Sequence, residues 1–178
     1  MRTIAHHRRS IRLREYDYTQ AGAYFVTICT WQRECLFGEV VNGEMRLNPI
    51  GGIVEECWKW LGEQYPYVEL DVWVIMPNHI HGMVLLTDGR RGGSRTAPTE
   101  ETRRKPLGRL IGAFKTVSTK RLNLSRDTSG LPVWQRNYYE RVIRDEAELG
   151  RMREYIVANP RLWAEDEENP DNLRRHTS

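Results

Sequence analysis

His79 and His81 flank a single apolar residue in the run His79-Ile80-His81-Gly82-Met83-Val84-Leu85-Leu86, directly after Met76-Pro77-Asn78. Side chains alternate along a strand, so a strand beginning near His79 points both imidazoles to one face. Two imidazoles side by side on a rigid strand make half of a metal site, and imidazole donors by themselves suit zinc or manganese. Further along, Tyr155 and Asn159 stand four residues apart in a stretch with helical patterning, which places them on one helix face. Each also has a plainer role: a tyrosine at the edge of a core with its hydroxyl in water, and an asparagine closing a helix before Pro160.

These residues need elements to position them. Tyr24 to Trp31 is rich in β-branched and aromatic residues and reads as a strand. Phe37 to Leu47 carries Asn42-Gly43 between short β-prone arms, the signal of a hairpin. Asn48 or Pro49 opens a helix through Tyr65, with Ile50, Ile53, Val54, Cys57, Trp58 and Leu61 on one face, and Pro66 ends it. Strands Val68–Ile75 and His79–Leu86 follow, joined by the Pro77-Asn78 turn. Residues 87–105 are polar and glycine-rich and read as a mobile loop. Pro106 opens a second helix, which buries Leu107, Leu110, Ile111, Phe114, Val117 and Leu122. Val133 to Val142 reads as a last strand or an extended segment. Asp145 caps a third helix that Pro160 stops. The order suits an α+β domain close to the split βαβ arrangement: an antiparallel sheet with helices packed mainly on one face, its inner strands being the two around Pro77-Asn78.

A chain of 178 residues fits one domain with a real core. It divides into a basic N-terminal arm (1–15), the body, the loop 87–105 and an acidic tail (164–178). No apolar run reaches the roughly 18 residues of a membrane span. The basic N-terminus lacks the apolar segment of a secretory signal. Cys29, Cys35 and Cys57 are odd in number and unpaired in spacing, which fits reduced thiols in a cytoplasmic protein. The net charge is only +3, yet eight Lys or Arg and no acid lie between Arg103 and Arg126, with Arg90, Arg91 and Arg95 just upstream. The balancing acids sit in Glu165, Asp166, Glu167, Glu168 and Asp171. Such a separation is either the footprint of a polyanion binder or a solvated helix face.

Four blocks occur in a fixed order: His79-Ile80-His81, the basic helix 107–122, Trp134-Gln135-Arg136-Asn137-Tyr138-Tyr139-Glu140, and Tyr155-Ile156-Val157-Ala158-Asn159-Pro160. As a set they resemble the REP-associated tyrosine transposases, a branch of the single-tyrosine HUH transposases. Gly22 to Thr30 is similar to that family's first strand, and the resemblance runs from Tyr16 to Trp163. It implies a ferredoxin-like fold. It implies Tyr155 as the nucleophile, His79 and His81 as metal ligands, and Asn159 where related enzymes place a third ligand. It also implies Mg2+ or Mn2+ as the cofactor, and manganese satisfies the imidazole chemistry as well. The reaction would be transesterification of single-stranded DNA through a 5′-phosphotyrosine. Its substrates would be hairpins like those of repeated extragenic palindromes, met in a nucleoid-associated, cytoplasmic setting by a monomer or a homodimer.

For a DNA partner, Arg90, Arg91, Arg104, Lys105, Arg109, Lys115, Lys120, Arg121 and Arg136 can meet phosphates. Tyr138 can stack on an unpaired base, while Trp134 goes to the core. The phenolic proton has several candidate acceptors: the metal's field, a water, or a lysine such as Lys115. A catalytically silent, domesticated nucleic-acid binder of the same fold is the alternative. A histidine-triad nucleotide hydrolase needs a third histidine where Met83 stands.

Overall fold

The computed structural model describes residues 17–88 and 104–175. The arm 1–15, the stretch 89–103 of the loop, and Arg90, Arg91, Arg95 and Arg103 lie outside the described residues.

In chain order the elements are β1 (Gly22–Cys29), β2 (Gly38–Val41), β3 (Glu44–Leu47), α1 (Pro49–Gln64), β4 (Val68–Ile75), β5 (His79–Leu86), α2 (Leu107–Arg126), β6 (Tyr139–Ile143), α3 (Glu146–Ala158) and α4 (Pro170–Arg175). Local chemistry sets several boundaries. Asn42 and Gly43 both take positive φ (54° and 77°), the type I′ geometry that folds β2 onto β3. The Asn48 side chain accepts from Gly51 N at 2.9 Å and caps α1, with Pro49 in its first turn. Asp145 caps α3 by accepting from Glu148 N at 2.7 Å. Pro160 ends α3 but not the helical winding, since a 3-10 turn continues over Asn159–Glu165.

Four strands form one sheet in the order β4-β5-β1-β6, antiparallel throughout. β1 and β4 are joined through α1 yet separated by β5, which is the split βαβ arrangement of a ferredoxin-like sheet. The inner strands are therefore β5 and β1. The expectation that β4 and β5 form the centre is corrected: β1 takes the second edge of β5 and leaves β4 at the margin. The sequence of β4 suits a margin, since Glu69 and Asp71 stay partly exposed and a register shift interrupts its pairing between Leu70 and Trp73.

The two long helices share one face. Tyr24, Val26 and Ile28 of β1 and Ile80, Val84 and Leu86 of β5 meet Trp58 and Leu61 of α1 and Leu110, Ile111 and Phe114 of α2. Trp134 joins this core as expected, its indole donating to Ser118 Oγ at 2.9 Å. The opposite face carries Phe25, Met83 and Leu85, covered by Leu149, Met152 and Ile156 of α3. Arg153 of α3 is pinned to Asp71 of β4 at 2.6 Å, at the register shift. The acidic segment expected as a tail folds back onto this second face, burying Glu168 and Asn169. No described helix is long and apolar enough to cross a membrane.

At Gly82 the helix layer comes into close contact with β5. A Cβ there would stand 2.5 Å from the Trp58 ring, which fills the space over the strand. Gly82→Ala is expected to destabilise the fold by about 1–3 kcal/mol through overpacking. Urea unfolding monitored by far-UV circular dichroism measures this, and an unchanged midpoint would show that Trp58 can yield.

Candidate metal centre and tyrosine

The strand reading of the histidine pair holds. His79 and His81 project from the α3 face of β5, both buried, with ring centroids 4.4 Å apart. Each ring is oriented by a neighbour. Thr27, the cross-strand partner of His81 on β1, places Oγ1 2.9 Å from His81 Nδ1. Asn78 does the same for His79 through Oδ1, 2.8 Å from Nδ1. The Asn78 amide nitrogen donates to two carbonyls, Arg33 O (3.1 Å) and Glu168 O (2.7 Å). Carbonyls only accept, so the amide oxygen must face His79, and His79 Nδ1 must carry the proton. His79 Nε2 is then a bare lone pair pointing into the site.

α3 crosses this face and brings Tyr155 onto it. The phenol oxygen lies 3.4 Å from His81 Nε2, across 74 residues of sequence, and the ring centroids are 5.2 Å apart. Phe25 organises both rings: it stacks on His81 at 5.5 Å and meets Tyr155 edge-on at 6.0 Å. Tyr155 keeps 39% of its surface exposed, whereas the histidines are sealed. One turn on, Asn159 is buried and donates from Nδ2 to Asp166 Oδ2 at 3.2 Å.

Asp166 is the residue the sequence reading passed over. Its Oδ1 accepts from Glu168 N at 2.6 Å, and its Oδ2 lies 4.0 Å from His79 Nε2. Ligand atoms of His79, His81 and Asp166 all fall within 4.8 Å of one another. The one sequence signal was its membership of an acidic cluster, which gave no hint that Pro160 and the 3-10 turn reverse the chain.

A divalent cation fits this donor set. His79 Nε2 and Asn159 Oδ1 are buried without a hydrogen-bond partner, and each such atom costs about 1–3 kcal/mol if left unsatisfied. Both are acceptors, and they sit beside a carboxylate and a second imidazole. Two imidazole nitrogens with carboxylate and amide oxygens suit manganese or magnesium better than imidazoles alone.

Burial holds both imidazoles neutral, as ligands must be. His79 is lowered by desolvation, opposed by Asp166 and Glu168. His81 is pushed well below its usual range by desolvation and by His79. The phenol of Tyr155 is pushed up to about 12 by burial and then by Asp166, Glu167 and Glu168. Lys115 is not among the groups acting on that phenol. It belongs to the α2 layer, is lowered to about 8 by burial, and donates to the carbonyls of Gln135 (2.8 Å) and Asn137 (3.0 Å). Its candidacy as the proton acceptor is withdrawn.

The basic candidates scatter. Arg109, Lys120 and Arg136 are exposed. Lys115, Lys120 and Arg136 line one groove of about 790 Å3 between α2 and residues 127–136. Arg121 is tied to Glu56 of α1, and Arg104 to Asp88 at 2.9 Å. Lys105 lies 5.0 Å from the centre of the Tyr65 ring. Tyr138 is half-buried, its hydroxyl donating to Glu140.

The depressed pKa of His81 makes stability depend on pH. The unfolded chain takes up a proton below about 6.5, the ordinary histidine value, while the folded site refuses it. The contribution is therefore complete above that value and lost as pH falls. In metal-free buffer the urea midpoint is expected to drop between about pH 7 and pH 5, and to drop less in His81→Asn. Identical pH profiles for the two proteins would remove His81 as the cause.

No family model matches the chain. It is 40% identical over 170 residues to a Haemophilus influenzae protein described only as an uncharacterized protein, covering 91% of this chain and 93% of that one. It is 28% identical over 150 residues to a second Haemophilus influenzae protein, described as a "Putative REP-associated tyrosine transposase", covering 81% and 73%. A solved REP-associated tyrosine transposase bound to a REP hairpin shares the fold, with a TM-score of 0.55 at 18% identity over 83% of this chain and 70% of that one. Across some four-fifths of its length the chain is thus similar in sequence to a protein described as a REP-associated tyrosine transposase, and it shares the fold of a solved one.

Proposed function

We propose that this protein is a REP-associated tyrosine transposase that cleaves and rejoins single-stranded DNA through Tyr155, with a Mg2+ or Mn2+ ion held by His79, His81, Asp166 and Asn159. The observation that carries the reading is the convergence of Tyr155 on His81, 3.4 Å apart on separate elements, beside two buried acceptor atoms without partners.

In this reading the phenolic oxygen of Tyr155 attacks a backbone phosphorus. The phosphorus–O3′ bond breaks, a 3′-hydroxyl leaves, and the 5′-phosphate stays on the tyrosine. The phosphotyrosine keeps the diester's free energy, so attack by a 3′-hydroxyl restores the strand without a nucleotide cofactor. When bound, a divalent cation supplies positive charge against the phosphate's non-bridging oxygen and against the forming phenolate. The chain's own residues do the rest. Asn78 and Thr27 aim the imidazoles. Phe25 fixes the angle between His81 and Tyr155. The half-open position of Tyr155 admits a phosphate, while the sealed histidines keep bulk water from the ligands.

The exposed Arg109, Lys120 and Arg136 supply phosphate contacts that do not depend on sequence, joined by Arg104 and Lys105 and, outside the described residues, by Arg90 and Arg91. Arg121 and Lys115, already committed within the protein, contribute less than the sequence suggested. The substrate we infer is a DNA hairpin with a single-stranded flank; the solved REP-associated tyrosine transposase is bound to a REP hairpin. The whole chain acts as one unit, in the cytoplasm at the nucleoid.

The test uses labelled hairpin oligonucleotides with manganese on a denaturing gel. The native protein is expected to give a protein-linked band that requires metal. Tyr155→Phe is expected to lose that band while binding DNA normally, and to be nearly unchanged in stability, because a 3.4 Å contact to a half-exposed hydroxyl holds little. His81→Ala and Asp166→Asn are expected to retain the fold and lose metal-dependent cleavage. Equal cleavage by Tyr155→Phe overturns the nucleophile. Binding without cleavage by a manganese-loaded native protein points to the silent DNA binder.

A further inference from the structure

Asn78 sits where three separate parts of the chain meet. It is fully buried in the three-residue connection, Met76-Pro77-Asn78, between β4 and β5. Its side chain makes three hydrogen bonds to three separate parts of the chain: to His79 on β5, to the Arg33 carbonyl after β1, and to the Glu168 carbonyl in the C-terminal segment, 90 residues away. Its own carbonyl accepts from Thr30 N at 2.8 Å. The same junction is gripped a second time, because the Arg33 guanidinium donates to the Glu168 carboxylate. Gln32 and Arg33 hold left-handed backbone angles (φ 54° and 57°) to make this possible.

We propose that Asn78 is the positioning residue that couples the histidine arm of the metal site to its carboxylate arm, so that occupancy of the site and ordering of residues 159–169 rise and fall together. Through Oδ1 it fixes the tautomer and angle of His79, leaving Nε2 bare. Through Nδ2 it anchors Glu168, two residues from Asp166, whose carboxylate is already locked onto Glu168 N. One amide therefore sets the position of candidate ligands from two distant parts of the chain. Asn78 is not itself a ligand, because both polar atoms of its side chain are occupied. The inference rests on the metal site of the proposed function.

Aspartate separates its two tasks. Asn78→Asp keeps an oxygen for His79 Nδ1–H but removes both donors and sets a carboxylate against two carbonyls. Asn78→Ala removes everything. Manganese affinity is read by calorimetry, and ordering of the C-terminal segment by trypsin cleavage at Arg161 with and without manganese. In the native protein manganese is expected to slow cleavage at Arg161. Asn78→Ala is expected to bind manganese about 10–100-fold more weakly, the usual cost of losing a group that orients a ligand. Asn78→Asp is expected to match the affinity of Asp166→Asn, to show cleavage at Arg161 that manganese no longer slows, and to lose nothing more when Asp166→Asn is added.

A merely structural role predicts otherwise. Asn78→Asp and Asn78→Ala would then weaken binding equally, and each would add to Asp166→Asn; that result overturns the coupling and leaves the metal site standing. Native protein that takes up no manganese overturns both. Far-UV circular dichroism checks folding, and if Asn78→Ala does not fold, the comparison of Asn78→Asp with Asp166→Asn still decides.

Discussion

Strand β5 is paired on both edges and buried on both faces, and the rest of the site depends on that confinement. β4 and β1 take its hydrogen bonds, and of its eight residues only Leu85 is not fully buried. Period-two alternation then gives each face one task. Ile80, Gly82, Val84 and Leu86 face the long helices, with Gly82 left bare so that the Trp58 ring can approach the strand closely. His79 and His81 face the other way. A one-residue slip would put imidazoles into the apolar core and is excluded by the same packing. The histidines thus stand on a floor that cannot shift, and their spacing is a property of the sheet.

What stands over that floor is electrically one-sided. His79 Nε2, Asn159 Oδ1 and the Asp166 carboxylate are all acceptors, and Glu167 and Glu168 add charge of the same sign as Asp166. Left alone, such a cluster resists both loss of the phenol proton and approach of a phosphate. A cation reverses both effects, because near a surface two unit charges 4 Å apart interact by about 4 kcal/mol. Under the proposed function, the acidic cluster next to a residue that attacks a polyanion is thus what a bound cation would offset. Two unsatisfied buried acceptors also weigh against a total stability of only about 5–15 kcal/mol, so such a site persists where the surrounding fold over-determines it.

The legible parts of the chain were those written in local chemistry. The Asn42-Gly43 hairpin, the Asn48 and Asp145 caps, the apolar stripe of α2 and the alternation around His79 each depend on residues within a few positions of one another. The strand order was not local. β4 and β5 are both largely apolar runs, and although Glu69 and Asp71 suit a margin, only the pairing of β1 with the far edge of β5 decides that β4 lies outside. Asp166 was illegible for the same reason: a proline after a helix reads as a stop, whereas here it begins a 3-10 turn that carries the carboxylate back to His79. Lys115 and Arg121 read as free cations because sequence shows neither the carbonyls of 135–137 nor Glu56.

The two layers meet at one end of the sheet, and this bears on how a strand reaches Tyr155. Thr30 pairs with Trp134, Gln135 N donates to the Cys29 carbonyl, and Cys29 lies opposite His79. The segment 133–136, which forms one wall of the groove holding Lys120 and Arg136, is therefore stitched to the sheet at the His79 end. The basic groove and the metal centre lie in different layers but share that margin. Under the proposed function, phosphates held in the groove need only turn around the edge formed by residues 29–33 and 133–136 to come onto the tyrosine face. That edge includes Arg33, whose carbonyl and guanidinium already secure Asn78 and Glu168. A strand crossing there would pass beside the junction that positions His79 and Asp166, so binding of DNA and organisation of the metal site would act on the same few residues.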